Sequence, residues 1–166
     1  NFRIELVINI GKDDFENIFT ISQDLANIFG NNFLLDENNI HKYFNNDTLP
    51  FLARYKGEII GYIIGVPIEK FKNEAWARFD SNIGKNNTLY TYAFIMNKKY
   101  RKIGGYSKTL KRIYINWAKK QQYSFITGHV KQGLSKQFGA KTEIIKIFKN
   151  WYNSNLPFEY YRRYLK

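Results

Sequence analysis

No cysteine occurs in the 166 residues, methionine appears once and proline three times. Without cysteine the chain forms no disulfide, offers no thiolate nucleophile and holds no cysteine-ligated zinc. Long apolar runs are missing as well. No stretch approaches the roughly eighteen uninterrupted apolar residues of a membrane span, and the opening Asn-Phe-Arg-Ile-Glu-Leu lacks the pattern of a signal peptide. A cytoplasmic location is the default expectation. Acidic residues are scarce, 14 against 26 lysines and arginines, which leaves a net charge of +12. That surplus favours an anionic partner through long-range attraction. Nucleic acid or an acidic protein would answer it, and so would a lysine- and asparagine-rich composition with no partner behind it. The lysines are scattered rather than gathered in a tract, so nucleic acid is not favoured.

What is present is globular. A hydrophobic content of 44%, with 18% aromatic residues, suits one domain over residues 1–166 with a substantial core. Residues 2–10 partly alternate and predict a first strand ended by Gly11. Asp13 or Asp14 then caps a helix whose apolar positions Phe15, Ile18, Phe19, Leu25, Ile28 and Phe29 keep helical spacing, with Gly30 and Asn31 as the stop. A shorter helix is expected over 36–44 and a hairpin over 51–67, turning at Lys56-Gly57. Residues 69–87 are irregular, with a helical turn near 74–79, and such a long connection suggests a binding loop or lid. Strands are expected over 124–130, 142–152 and 158–165, and a short helix over 131–138 ended by Gly139. Nothing matches a G-x-x-x-x-G-K-[ST] or G-x-G-x-x-G nucleotide loop.

Residues 100–110, Tyr-Arg-Lys-Ile-Gly-Gly-Tyr-Ser-Lys-Thr-Leu, carry the most chemistry. Before them, 88–96 is rich in β-branched and aromatic residues and predicts a strand. After them, Tyr106, Leu110, Ile113 and Trp117 make one apolar helical stripe. A glycine-bearing basic turn that opens a helix presents free backbone N–H groups to an anion.

The turn resembles the R/Q-x-x-G-x-G/A element of the GCN5-related N-acetyltransferase (GNAT) family, with Arg101 and Gly104 at the matching positions and Tyr100 before the arginine. Tyr106 stands where the family usually has a second glycine or alanine. The element order of the chain is also that of the family. The resemblance implies an α/β (α+β) acyl-CoA N-acyltransferase fold, a central mixed sheet of about seven strands with about four helices. It further implies acetyl transfer from acetyl-coenzyme A to a primary amine by direct attack, the amine being a small molecule, a peptide N-terminus or a lysine. The cofactor residues so implied are Phe94, Ile95 and Met96 for the pantetheine arm, and Arg101, Lys102, Ile103, Gly104, Gly105, Tyr106 and Ser107 for the pyrophosphate. No metal is implied. The partners are acetyl-CoA and the amine acceptor, with no membrane and a monomer or homodimer expected. The alternative is a basic binding module on the same fold for RNA or an acidic protein, with coenzyme A regulatory or vestigial.

The transfer needs a neutral amine, and it needs the departing thiolate stabilised or protonated. A lysine amine has a pKa of about 10.4 and a thiol about 8.5, so a base, an acid and an oxyanion donor are sought. The donor implied by the resemblance is a backbone N–H within 94–96. Many family members carry an acidic tyrosine four residues before the glycine of a closing Gly-Phe; Gly139-Ala140 corresponds here and puts Ser135 at that position. His129 titrates in a range suited to proton transfer, and Tyr92 could reach the acceptor directly or through water. His41 falls in a surface helix and is set aside. The acceptor cleft implied by the family draws on Asp36, Glu37 and Asp47 on one wall. The other wall offers Glu143, Trp151, Tyr152, Glu159, Tyr160 and Tyr161, a mixture of carboxylates and aromatics suited to a cationic amine.

Overall fold

The computed structural model describes residues 1–30, 33–151 and 155–166. Asn31, expected in the helix stop, Tyr152 of the cleft wall and part of the 153–157 connection lie outside the described residues. Seven strands run β1 (Phe2–Leu6), β2 (Leu49–Tyr55), β3 (Glu58–Pro67), β4 (Thr88–Met96), β5 (Phe125–Lys131), β6 (Thr142–Phe148) and β7 (Phe158–Tyr164). The described α-helices are α1 (Lys12–Phe29), α2 (Ile40–Tyr43) and α3 (Tyr106–Lys120). The sheet order is β1-β2-β3-β4-β5-β7-β6. It is mixed, as expected. The β1–β2, β2–β3, β5–β7 and β6–β7 ladders are antiparallel, while β4 and β5 are parallel and pair Thr88–Tyr90 with Phe125–Thr127. The crossover through α3 requires that parallel pairing. Two compact units divide the chain, Asn1–Gly65 with Tyr92–Tyr114, and Val66–Thr91 with Ile115–Lys166.

In the first unit, β2 and β3 form the expected hairpin. Lys56 and Gly57 both take positive φ, 52° and 85°, the geometry that a two-residue turn needs to match strand twist. Gly11 serves as the N-cap of α1 instead of ending β1, and Asp13 and Asp14 sit in the first turn. β1 is shorter than expected for a reason in its partner. Leu6 pairs with Phe51, Val7 N donates to the Pro50 carbonyl at 2.9 Å, and Pro50 has no N–H to return the bond. Arg54 ties these pieces together, donating through Nε to Glu5 at 2.8 Å and through both Nη atoms to Asp14 at 2.9 and 2.5 Å. Its guanidinium holds the Asp14 carboxyl below the usual carboxylate range. Gly61 on β3 allows the closest backbone approach to β4, since a Cβ there would lie 2.7 Å from the Ile95 carbonyl oxygen.

In the second unit, β7 lies between β5 and β6 and is buried on both faces from Phe158 to Arg162. β6 stops at Phe148, opposite Phe158, because Pro157 has no N–H to continue the ladder. The connection before β4 is not loose. Glu69 accepts from the amides of Gly84 (2.9 Å) and Asn86 (3.4 Å). Asp80, whose side chain is fully buried, accepts from Tyr160 Oη at 2.5 Å and Arg162 Nη2 at 2.9 Å. A buried carboxylate is tolerable only when paired and hydrogen-bonded in this way. On α3 the buried stripe is Leu110, Tyr114 and Ala118, with Trp117 exposed. The expected stripe is therefore rotated by about one residue.

Two outcomes follow. The lowered pKa of Asp14 means that its contribution is present above the unfolded carboxylate value and is lost as pH falls through the folded one. Asp14→Asn should cost about 1–2 kcal/mol at neutral pH, and urea denaturation should show that difference shrinking as the pH falls below about 4. Gly61→Ala should destabilise by about 2 kcal/mol or more, because backbone on β4 has to move, as read from the same denaturation midpoints.

Candidate active site

The basic turn lies wholly within the first unit. β4 ends at Met96, and Asn97 caps the short 3₁₀ turn at Lys98–Tyr100, its side-chain oxygen accepting from Lys99 N at 3.0 Å. Asn97 N is anchored on the Ile60 carbonyl at 2.7 Å. Arg101 folds back so that Nε donates to the Met96 carbonyl at 2.7 Å, while Nη2 is buried without a hydrogen-bond partner. Lys102, Gly104 and Gly105 all adopt left-handed backbone, with φ of 64°, 61° and 66°. Glycine tolerates that conformation at little cost and lysine does not. Nothing lies within 4 Å of where a Cβ of Gly105 would be, so this side of the backbone is open. Among the described residues no backbone carbonyl accepts from the amides of Ile103, Gly104 or Gly105, and the first amides of α3 lack intrahelical acceptors. Ile103 is half exposed.

Tyr106 occupies its glycine-type position by turning its ring away from the turn's open side. The ring stacks on Phe2 at 4.4 Å, lies near Tyr55 and Tyr100, and covers Gly104, where a Cβ would be 2.6 Å from it. The orphaned guanidinium nitrogen, the unclosed amides and the helix start together fit an anionic group such as a pyrophosphate. Tyr92, also in the first unit, is half-buried and stacked on Tyr43 at 4.0 Å and on Phe33 at 5.4 Å. That stack, invisible in the chain order, fixes the position of its ring.

His129 and Ser135 lie in the second unit, on opposite faces of β7. His129 is opposite Tyr160 in the β5–β7 ladder, whereas Ser135 bonds to Glu159, the next residue along. The imidazole stacks on Trp151 at 3.6 Å, meets Trp76 edge-on at 4.8 Å and accepts or donates through Nδ1 to the Tyr90 hydroxyl at 2.8 Å. Nε2 is buried and has no hydrogen-bond partner in the structure. Burial pushes its pKa well below the ordinary histidine value, so the ring stays neutral at neutral pH. The sequence expectation of a histidine titrating there is corrected by its aromatic surroundings, which disfavour the charged form.

Ser135 gives its hydroxyl to the Glu159 carboxylate in a short contact, and the same carboxylate accepts the amides of Gly133 (2.7 Å) and Ser135 (3.0 Å). Burial pushes Glu159 up, but these donors outweigh it and leave the carboxyl below its usual range. Two further acidic members of the expected cleft walls are similarly engaged. Glu143 accepts from Arg162 and Tyr164, and Asp36 accepts the amides of Asn38 and Asn39. Trp76 and Asp80 were missed by sequence reasoning. Both sit in an irregular stretch without periodicity.

The comparisons bear on these elements. The sequence profile of the Acetyltransferase (GNAT) family matches residues 13–135. No curated protein matches the chain by sequence. Among solved structures, the ribosomal-protein-S18-alanine N-acetyltransferase from Escherichia coli superposes with a TM-score of 0.69 at 12% identity, covering 100% of this chain and 95% of that one. The ribosomal-protein-alanine N-acetyltransferase from Brucella melitensis gives 0.69 at 16%, covering 98% and 99%. A GNAT-family acetyltransferase from Staphylococcus aureus Mu50 gives 0.65 at 19%, covering 100% of both chains. At such identities the likeness establishes the fold.

The depressed His129 pKa implies stability that is present above the unfolded histidine value and lost as pH falls through the lower folded one. In NMR titration the His129 ring protons should stay at their neutral shifts from pH 8 to about 6. Tyr90→Phe, which removes the Nδ1 partner, should destabilise by about 1–3 kcal/mol in thermal or urea unfolding.

Proposed function

The chain belongs to the GNAT acetyltransferase family, and on that premise we propose that it is an acetyl-CoA-dependent N-acetyltransferase acting on a primary amine by direct attack. The Arg101 turn carries this reading: a buried guanidinium nitrogen without a partner beside left-handed glycines at the start of α3. Arg101, Lys102 and the amides of residues 103–107 would hold the pyrophosphate, and backbone groups of Phe94, Ile95 and Met96 the pantetheine arm. When bound there, acetyl-CoA supplies an acyl thioester. The chain has no thiol that could carry the acetyl group itself. In the transfer the new bond joins the amine nitrogen to the acetyl carbon, the carbon–sulfur bond breaks, and the proton shed by the amine balances the departing thiolate. A backbone N–H within 94–96 faces the developing oxyanion.

Tyr92, held by its stack on Tyr43 and Phe33, is the residue proposed to donate a proton to the thiolate. His129, fixed through Nδ1 by Tyr90 and enclosed by aromatic rings, acts in this reading as a packing residue of the second unit. Ser135, whose hydroxyl is already given to Glu159, acts in this reading as a positioning residue for the 131–138 segment. Direct attack needs the amine in its neutral form. A peptide α-amine has a pKa of about 7.7–8.0, against about 10.4 for lysine, so a peptide N-terminus is the acceptor favoured here. The names of the two ribosomal-protein-alanine N-acetyltransferases point to the same test substrate.

Calorimetry with acetyl-CoA should show micromolar binding that weakens about ten- to a hundredfold in Arg101→Met, the loss of a charge-assisted contact; no binding by the unaltered protein would overturn the reading. In a thiol-release assay, peptides with a free N-terminus should be acetylated and N-terminally blocked, lysine-bearing peptides much less so. Tyr92→Phe should lower kcat about a hundredfold with little change in KM.

A further inference from the structure

The turn and the ion pairs of Arg54 and Arg162 engage only a few of the 26 cationic side chains. Four others converge on one hollow of the second unit, of about 200 Å³. Ile115, Phe138 and Leu165 line it together with Lys119 of the last turn of α3, Lys141 before β6, Arg163 of β7 and Lys166. A second hollow of about 390 Å³ shares Ala140, Lys141, Tyr164 and Lys166 with the first, so the two form one groove. No carboxylate side chain lines the first hollow. Glu143, at the second, is occupied by Arg162 and by the Tyr164 hydroxyl. Among the described residues Lys119 and Arg163 have no ion-pair partner. The Lys141 ammonium donates to the Lys166 backbone oxygen.

Like charges gathered in this way repel one another, and an anion in the groove removes the repulsion. The C-terminal dipole of α3 compensates only Lys119. The aromatic component narrows the ligand. Tyr164 is 43% exposed and lines both hollows, and its ring is held by an edge contact with Phe125 at 5.1 Å and by its hydroxyl on Glu143 at 3.0 Å. A fixed ring among cations offers a stacking surface for a base and charges for the flanking phosphates, the combination used for single strands. An acidic peptide would use the charges and leave the ring idle. We propose that this groove binds a segment of single-stranded nucleic acid, its phosphodiesters among Lys119, Lys141 and Arg163 and a base on Tyr164. None of these residues belongs to the acetyl-transfer reading, and the inference stands independently of it.

Fluorescence anisotropy with labelled oligouridylate and oligothymidylate of about a dozen nucleotides, over a range of salt, tests it on the intact chain. Binding of either strand is expected, and comparing the two separates RNA from DNA as the source. The double change Lys141→Glu with Arg163→Glu should weaken it at least about tenfold and lower the salt slope by about two; Lys119→Glu, an exposed helical position, should lower the slope by about one and serves if the double variant does not fold. Tyr164→Leu should weaken binding about fivefold or more with the slope unchanged, which charge alone would not produce. Acetyl-CoA affinity should stay as it is in all of them. The proposal is overturned if neither strand binds, if Lys12→Glu with Lys42→Glu weakens binding as much, or if a polyglutamate peptide binds at the groove more tightly than the oligonucleotides.

Discussion

The buried Asp80 carboxylate is the constraint on which the second unit turns. It has no contact with water and is held by the Tyr160 hydroxyl and the Arg162 guanidinium, both on β7. Its Oδ1 also accepts the amide of Asn82, so the same group shapes its own loop. A charge so placed is stable only while its partners stay in register, which makes the long connection before β4 a fixed part of the fold. Trp76, four residues earlier, is thereby set against the ring of His129, and Trp151 and Tyr160 complete the enclosure. The neutrality of that histidine follows from this packing.

The first unit solves a different problem, the presentation of backbone amides to an anion. Three left-handed residues in four positions turn the chain after β4, and Arg101 is folded onto the Met96 carbonyl rather than extended into solvent. The replacement of a small residue by Tyr106 is absorbed by an aromatic cluster with Phe2, Tyr55 and Tyr100. The large ring thus serves as packing for β1 and β2 and leaves the polar edge of the turn open. Gly61, which lets β3 approach β4 closely, fixes the strand from which the turn departs.

Most of the fold was legible in the chain order. The bounds of β4 match the expected 88–96, the hairpin turns at Lys56-Gly57, and Gly30 and Gly139 end their helical segments with φ near 105°. Where the reading departed, long-range partners were responsible. β1 and β6 end early because Pro50 and Pro157 cannot return a ladder bond, and the buried stripe of α3 is displaced because burial of Tyr114 outweighs the apolar count of Trp117. The basic turn was legible because its requirements are local: positive φ, a helix start and a cation within a few residues.

The sequence by itself determined the element order, the mixed sheet and the anion-presenting turn, since propensity, periodicity and glycine conformation act over neighbouring residues. Only the tertiary structure decided which side chains are free to act. Ser135 is tied to a carboxylate 24 residues away, His129 is enclosed by rings from three separate segments, and Lys119 meets Lys141 and Arg163 at one groove. Protonation state, hydrogen-bond occupancy and clustering of charge depend on what surrounds a group in space, and chain order does not contain those surroundings.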